Sequence, residues 1–172
     1  MKTCKVCKTK FKPFNTMQKV CSVQCATEIV VTKKRVEFKR ETRKRKKNLN
    51  DNDRSYQLKK CQQTFNEYIR KRDEKDPCIS CGRDHQGQYH AGHYRTVGAH
   101  PELRFNELNC HKQCSVCNNH KSGNIVEYRI NLARKIGEKN LEWLEGSHEV
   151  QKLSIDEIKE IRQYYKEKLR NL

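Results

Sequence analysis

Apolar side chains recur at helical spacing in the first half of the chain. Cys61 is followed by three more apolar residues, ending at Ile69, at intervals of four, seven and eight positions. This spacing predicts a helix with one buried face, on which a cysteine is more typical of a core residue than of a nucleophile. The Asp76-Pro77 pair should end the helix, because proline disfavours helical geometry in the residue before it.

The second half of the chain shows two further helical patterns. The first runs over Ile125–Ile136 and should stop at Gly137. Ser154 and Glu157 then have the spacing of a capping box, in which each side chain bonds the other residue's backbone N–H group. This box predicts a last helix through about Leu169. We expect both helices to cover a small module rather than to carry chemistry.

The composition limits the hydrophobic core and the cellular location. Apolar residues make up 34% of the 172 positions and charged residues another 34%, so the core is thin for this length. No apolar run approaches the roughly 18 residues of a membrane span, and Met1–Lys10 lacks the apolar stretch of a secretory signal. We therefore expect a soluble, intracellular protein with reduced thiols.

The positive charge is concentrated before residue 78. The net charge is +17, and residues 1–77 hold 23 Lys and Arg against 9 Asp and Glu. This charge predicts a polyanionic partner, most simply a nucleic acid. The densest stretch, Lys33–Lys47, is interpreted as a helical phosphate-binding arm, with a solvated basic tether as the alternative. Its predicted DNA contacts are Arg43, Lys44, Arg45, Lys46 and Lys47.

Eight of the ten cysteines form two quartets. In each quartet, two close pairs flank a loop, which is typical of a tetrahedral structural zinc site. Zinc would also supply folding free energy that the thin core lacks. The alternative is a set of reduced buried cysteines without metal. The predicted ligands are Cys4, Cys7, Cys21 and Cys25 for one ion, and Cys78, Cys81, Cys114 and Cys117 for the other.

Six of the seven histidines lie within residues 85–120, where the chain is nearly neutral. The second zinc site would clamp both ends of this stretch, which suits a site that needs a fixed base and a fixed metal. A neutral imidazole can take a proton from water, and the amide oxygen of Asn118 could bind Mg²⁺.

The order of elements in residues 78–124 resembles the HNH, or ββα-metal, nuclease finger. In that motif a Cys-x2-Cys pair precedes a strand that ends in the catalytic histidine, and an asparagine and a Cys-x2-Cys-Asn-x2-Lys segment follow. The resemblance implies that His93 is the general base, that Asn109 fastens the following loop, and that Asn118 binds a catalytic Mg²⁺ or Mn²⁺ ion. The matching positions are Cys78, Cys81, His93, Asn109 and the segment Cys114–Lys121.

Longer segments resemble one phage family, the NinG (Rap) recombination endonucleases of lambdoid phages, over nearly the whole chain. The resemblance implies a structure-specific endonuclease that cuts Holliday junctions and D-loops, in the host cytoplasm and associated with the nucleoid. The implied partners are branched double-stranded DNA, phage recombination proteins and a second copy of the chain, since a two-fold dimer suits a symmetric junction. The similar segments are Pro77–Gly82, Ala91–Thr96, Leu103–Asn106 and His120–Asn124.

One position departs from the HNH motif. HNH proteins often place Asp or His directly before the catalytic histidine as a metal ligand, but Gly92 stands there. His90 is assigned as the substitute, with His120 as the other candidate, and imidazole ligands make Mn²⁺ plausible beside Mg²⁺. The missing ligand favours an alternative function, a zinc-dependent DNA-binding accessory protein that does not cut. An RNA-binding protein is disfavoured, because no platform of stacking aromatics is evident.

These patterns predict a small α+β protein stabilised by two zinc ions, with further DNA contacts at Arg95, Arg104 and Lys121. Surface solvation is the alternative for both arginines. The predicted parts are an N-terminal Cys4 zinc finger at 1–28, a basic helical linker at 29–60, an HNH-like nuclease module at 61–150 and a C-terminal amphipathic helix at 151–172.

Overall fold

A computed structural model describes residues 1–150 and 152–172 of the chain. It is an α+β structure, as predicted, and it divides into two units, Met1–Asn52 and Asp53–Leu172. The boundary falls inside the predicted linker, so residues 53–60 belong to the second unit. Gln151, the first residue of the predicted C-terminal part, lies outside the described residues.

The first unit combines a short ribbon with one long helix. Strand β1 (Lys2–Thr3) pairs antiparallel with β2 (Lys10–Phe11). Helix α1 (Val23–Asp51) begins where the Ser22 side chain accepts a hydrogen bond from the backbone N–H of Cys25. None of the 29 residues of α1, all of which are described, is buried, so its basic side chains face solvent. Among the described residues, no helix is long and apolar enough to cross a membrane.

A two-stranded hairpin forms the middle layer of the second unit. Strand β3 (Tyr89–His93) pairs antiparallel with β4 (Cys110–Cys114), with His93 opposite Cys110. Successive side chains of a strand point to opposite faces. Gly92 therefore lies on one face of the hairpin, and His93 lies on the other.

Helix α2 (Arg54–Arg72), the predicted helix around Cys61, packs against the face of the hairpin that carries His93. Helix α5 (Ile155–Arg170), which begins at the predicted capping box, packs against α2. The aromatic rings of Phe65 and Tyr165 meet between them with centroids 4.8 Å apart. Helix α2 ends before the predicted stop, because the Asp73 side chain turns inward to bind β4. This core contains Phe65, Tyr68, Ile69, Cys110 and Tyr165.

The opposite face of the hairpin packs against α3 (Ile125–Ile136), which is followed by α4 (Glu138–Glu145). Helix α3 has the predicted bounds, and Gly137 ends it with a φ of 82°, a conformation that favours glycine. Helix α4 is absent from the sequence prediction. The core on this side contains Ile79, Tyr94, Leu103, Tyr128, Leu132, Leu141 and Leu144.

Candidate functional site

Both predicted cysteine quartets converge. Within each quartet the four Sγ atoms lie within 4.8 Å of one another. The sulfur of Cys21 lies 3.4 Å from that of Cys7 and 3.7 Å from that of Cys25. Tetrahedral zinc with Zn–S bonds of about 2.3 Å places its sulfurs about 3.8 Å apart. The donor sets therefore fit one structural zinc ion in each unit.

The second quartet joins the segment that precedes β3 to the end of β4. Cys114 is the last residue of β4, and its backbone N–H donates to the Sγ of Cys78 at 3.3 Å. The Nε2 atom of His85 lies 3.1 Å from the Sγ of Cys81. An N–H donor to a ligand sulfur fixes the orientation of that ligand. Cysteine spacing identifies the ligands, but it carries no signal for a neighbour such as His85.

His93 stands at the end of β3, partly buried against α2. Its Nε2 lies 2.9 Å from the backbone carbonyl oxygen of Arg104, which can only accept, so Nε2 carries the proton and Nδ1 keeps a lone pair. Nδ1 lies 3.6 Å from the Cys110 thiol. Burial lowers the pKa of His93, the Arg104 carbonyl raises it, and the Arg104 charge lowers it further. The net lowering favours the neutral ring that a general base requires.

Asn109 fastens the loop that follows β3. The residue is fully buried, and its Oδ1 accepts a hydrogen bond from the Arg95 N–H at 2.7 Å. Its Nδ2 donates to the carbonyl oxygens of Arg95 at 3.0 Å and Leu103 at 3.2 Å. These contacts hold the segment that presents the Arg104 carbonyl to His93. The geometry fits the positioning role that the HNH resemblance implies.

The position before His93 faces a packed side chain. A Cβ atom on Gly92 would lie 2.1 Å from Oε1 of Gln113. Gln113 is itself buried, and its amide nitrogen donates to Ser80 Oγ and to the Gly123 carbonyl oxygen, both at 2.5 Å. The Tyr128 hydroxyl donates to the carbonyl oxygen of Gly92 at 2.9 Å. A side chain at this position would therefore have to displace Gln113 from its hydrogen bonds.

The predicted ligands of the catalytic ion do not form a complete site. His90 lies on the opposite face of β3 from His93, and its Nε2 is 3.5 Å from the amide nitrogen of Asn119. Asn118 is partly buried, and its amide nitrogen donates to Asn119 Oδ1 at 2.7 Å. Outside the two cysteine quartets, no three His, Cys, Asp or Glu side chains converge within 1–150 and 152–172. No such set is therefore available for a Mg²⁺ or Mn²⁺ ion among the described residues, and the assignment of His90 and Asn118 stays a prediction.

The predicted DNA contacts lie in different surroundings. The five basic residues of the arm are exposed on α1, and Lys121 is exposed after β4. Arg95 is partly buried, with its Nε lacking a hydrogen-bond partner among the described residues. Arg104 lines a cavity of about 410 Å³ together with Lys59 and Gln62 of α2. We call this cavity the cationic pocket.

The cationic pocket lacks neutralising carboxylates. Burial and the nearby charge of Arg54 both lower the pKa of Arg104. Within the described part of the chain, Arg54, Arg104 and Lys59 form no ion pair with an Asp or Glu side chain. Unpaired positive charge in a cavity favours an anion such as a phosphate group.

A buried charge cluster links α2 to β4. The side chain of Asp73 is 3% exposed and accepts hydrogen bonds from Arg72 Nε at 2.7 Å and from the Lys112 N–H at 3.0 Å. His111 is also buried, with its Nδ1 3.5 Å from Asp73 Oδ2. Burial alone would raise the pKa of Asp73, but His111 and Arg72 hold it well below its usual range.

The fold and the cysteine geometry define a small α+β protein with two centres suited to structural metal ions. The chain belongs to the NinG family, because the family model described as Bacteriophage Lambda NinG protein matches residues 1–172. The family resemblance of the sequence is thereby confirmed, whereas the HNH finger and the nuclease activity stay predictions.

Phage proteins similar to this chain carry the same family name. Protein ninG of Escherichia phage lambda is 40% identical over 182 residues, which cover 96% of this chain and 89% of that protein. Protein ninG of Salmonella phage P22 is 39% identical, over 96% of this chain and 90% of that protein. Protein ninG of Escherichia phage 933W is 37% identical, over 98% of this chain and 92% of that protein. No solved structure matches the chain.

Proposed function

We propose that this protein is an endonuclease that cleaves branched DNA during phage recombination, with His93 as its general base. One observation carries the proposal. A neutral imidazole stands at the end of a strand whose hairpin is clamped by a cysteine quartet, and the Arg104 carbonyl fixes the position of its proton. A fixed base of this kind is what hydrolysis of a phosphodiester requires.

The proposed chemistry uses groups that meet around His93. Its Nδ1 lone pair takes a proton from the attacking water, whose oxygen bonds to phosphorus as the P–O3′ bond breaks. The departing 3′ oxygen takes a proton from solvent, and the Arg104 side chain in the cationic pocket balances the charge that develops on the phosphate. Asn109 acts as a positioning residue through its hydrogen bonds to the loop. Metal dependence rests on the resemblance alone, since His90 and Asn118 do not complete a cation site.

Helix α1 supports the proposal by providing a surface for DNA. Its 29 residues span about 44 Å at roughly 1.5 Å per residue, and its basic side chains are exposed. Lysine and arginine neutralise phosphates and release counterions, which gives affinity without sequence preference. The arm would hold DNA, and the nearly neutral hairpin module would cut it.

A second candidate function is a zinc-dependent DNA-binding accessory protein that does not cut. Two observations favour it. Gln113 fills the face of Gly92 where the motif often places a metal ligand, and the Nδ1 atom of His93 faces the buried thiol of Cys110. Burial raises the pKa of Cys110, so the thiol keeps the proton that it can share with Nδ1.

One cleavage experiment distinguishes the endonuclease from the accessory protein. Purified protein is incubated with a labelled four-way junction, a flap and a linear duplex, with and without Mg²⁺ or Mn²⁺. We expect wild type to cut the branched substrates and His93→Ala to be slower by about 10²–10⁴-fold. Val126→Ala, at an exposed position of α3 in the same unit, serves as the control, and zinc content checks the fold of each variant. Equal cutting by His93→Ala would reject the proposed base, and no cutting by wild type would favour the accessory protein.

A further inference from the structure

A second cavity lies beside the loop that holds His93. It has a volume of about 450 Å³, and we call it the aromatic cleft. Trp143, the only tryptophan of the chain, is 49% exposed in its wall, with its ring centroid 4.5 Å from that of His148. Phe105 and Ile161 also line the cleft and add apolar surface. A cavity of this volume with aromatic walls suits a flat, apolar-faced ligand.

The polar groups of the aromatic cleft indicate what such a ligand must offer. The Glu102 side chain is 9% exposed, and one of its oxygens binds His100 Nδ1 at 3.0 Å. Its other oxygen and the Nε2 of His148 are buried and lack hydrogen-bond partners among the described residues. A carboxylate disfavours a phosphate and accepts N–H donors. The amino groups of nucleobases supply such donors.

The aromatic cleft and the cationic pocket share one short segment of chain. Leu103 and Phe105 line the aromatic cleft, whereas Arg104 between them lines the cationic pocket. The carbonyl of Arg104 also binds His93. Three neighbouring residues therefore border the cationic pocket, the aromatic cleft and the proposed base. This arrangement matches the two chemical parts of a nucleotide, an anionic phosphate and a flat base.

We propose that the aromatic cleft receives a nucleobase that has left the stack at a DNA branch point. The base would stack on Trp143, with its amino edge towards Glu102 and its backbone phosphate at Arg104. This inference rests on the proposed function for its substrate and adds a means of recognising the branch. Removal of a base from a stack carries an energetic penalty that is smallest for an unpaired base. The cleft would therefore favour branched DNA over a fully paired duplex.

The single tryptophan provides a direct test. We expect a four-way junction and an unpaired strand to quench Trp143 fluorescence, and a linear duplex at the same occupancy to leave it nearly unchanged. Trp143→Ala should bind the junction about 10-fold more weakly, with duplex binding unchanged, because base stacking on an aromatic side chain has effects of this order. Trp143→Phe should retain most of the affinity, and Phe14→Ala, which removes an exposed ring in the other unit, is the control.

The outcomes separate this inference from the proposed nuclease activity. Unchanged Trp143 fluorescence at saturating junction would overturn base capture, as would a wild-type ratio of junction to duplex affinity in Trp143→Ala. If wild type cuts junctions but either of these two results is found, the endonuclease proposal stands without base capture. If junctions quench Trp143 and the variant loses junction affinity while wild type cuts no DNA, base capture stands in an accessory protein.

Discussion

Replacing Asp73 by asparagine should strongly destabilise the second unit. The side chain is 3% exposed, and its two oxygens accept hydrogen bonds from the Arg72 guanidinium at 2.7 and 2.9 Å. An asparagine keeps the shape of the side chain but removes the charge, which leaves the Arg72 guanidinium without its buried counter-ion. Removal of one partner from a buried ion pair costs about 3–5 kcal/mol. We expect about 3 kcal/mol at neutral pH, because the amide oxygen still accepts one hydrogen bond.

The Asp73 carboxylate also makes the stability depend on pH, in a known direction. Its pKa in the folded protein is held well below the usual range, whereas an unfolded aspartate titrates near pH 3.9. A lowered folded-state pKa contributes stability that is fully present above the unfolded pKa and is lost as the pH falls towards the folded value. The difference in unfolding free energy between wild type and Asp73→Asn should therefore shrink below about pH 4.

Urea unfolding, monitored by Trp143 fluorescence, measures this difference in unfolding free energy, since Trp143 lies in the same unit as Asp73. Acid also protonates zinc-binding thiolates, so the quantity compared is the difference between the two proteins at each pH. Asp84→Asn, at an exposed position, is the control and should change stability by less than about 0.5 kcal/mol. A loss below about 1 kcal/mol in Asp73→Asn, or a difference that persists well below pH 4, would refute the reasoning.

Two further predictions concern the cysteine quartets and the basic arm. Wild type should bind two zinc ions per chain, and Cys21→Ser and Cys114→Ser should each lose one of them in metal analysis, because each change opens a tetrahedral site. Retention of both ions by either variant would contradict the assignment. Neutralising Lys44–Lys47 with glutamine should weaken DNA binding and flatten its dependence on salt by up to about 0.9 in log–log slope per lost phosphate contact, with zinc content intact. An unchanged slope would assign these residues to solvation.

An apolar face that repeats gives the clearest helix signal in this sequence. Residues 125–136 have such a face and an end signal, since Gly137 adopts a φ of 82° that other residues rarely take, and the structure has the predicted bounds. Helix α4 escapes prediction, because Leu141 and Leu144 are its only buried residues and two positions do not define a period.

Site residues are predictable where the signal is local in sequence. The cysteine pairs are separated by two or three residues, and the structure brings both quartets together. Asp73 gave no signal, because its partners His111 and Lys112 lie 38 and 39 positions away and a buried aspartate looks like a surface residue in a charged segment. For the same reason the aromatic cleft could not be predicted, since Phe105, Trp143 and Ile161 meet only in the folded unit.

The packing around Gly92 bears on the side from which DNA would reach His93. In the sequence Gly92 looks like a lost metal ligand, but in the structure Gln113 occupies the space that a side chain there would need. A cation centre on that face would use His90, while His93 points to the other face of the strand, where Arg104 and α2 lie. If His93 is the base, we expect the scissile phosphate to approach from the face of the strand on which Arg104 lies. A nuclease that works from this side needs no side chain at position 92, so of the two observations that favour a protein that does not cut, the contact between His93 Nδ1 and the Cys110 thiol is the stronger.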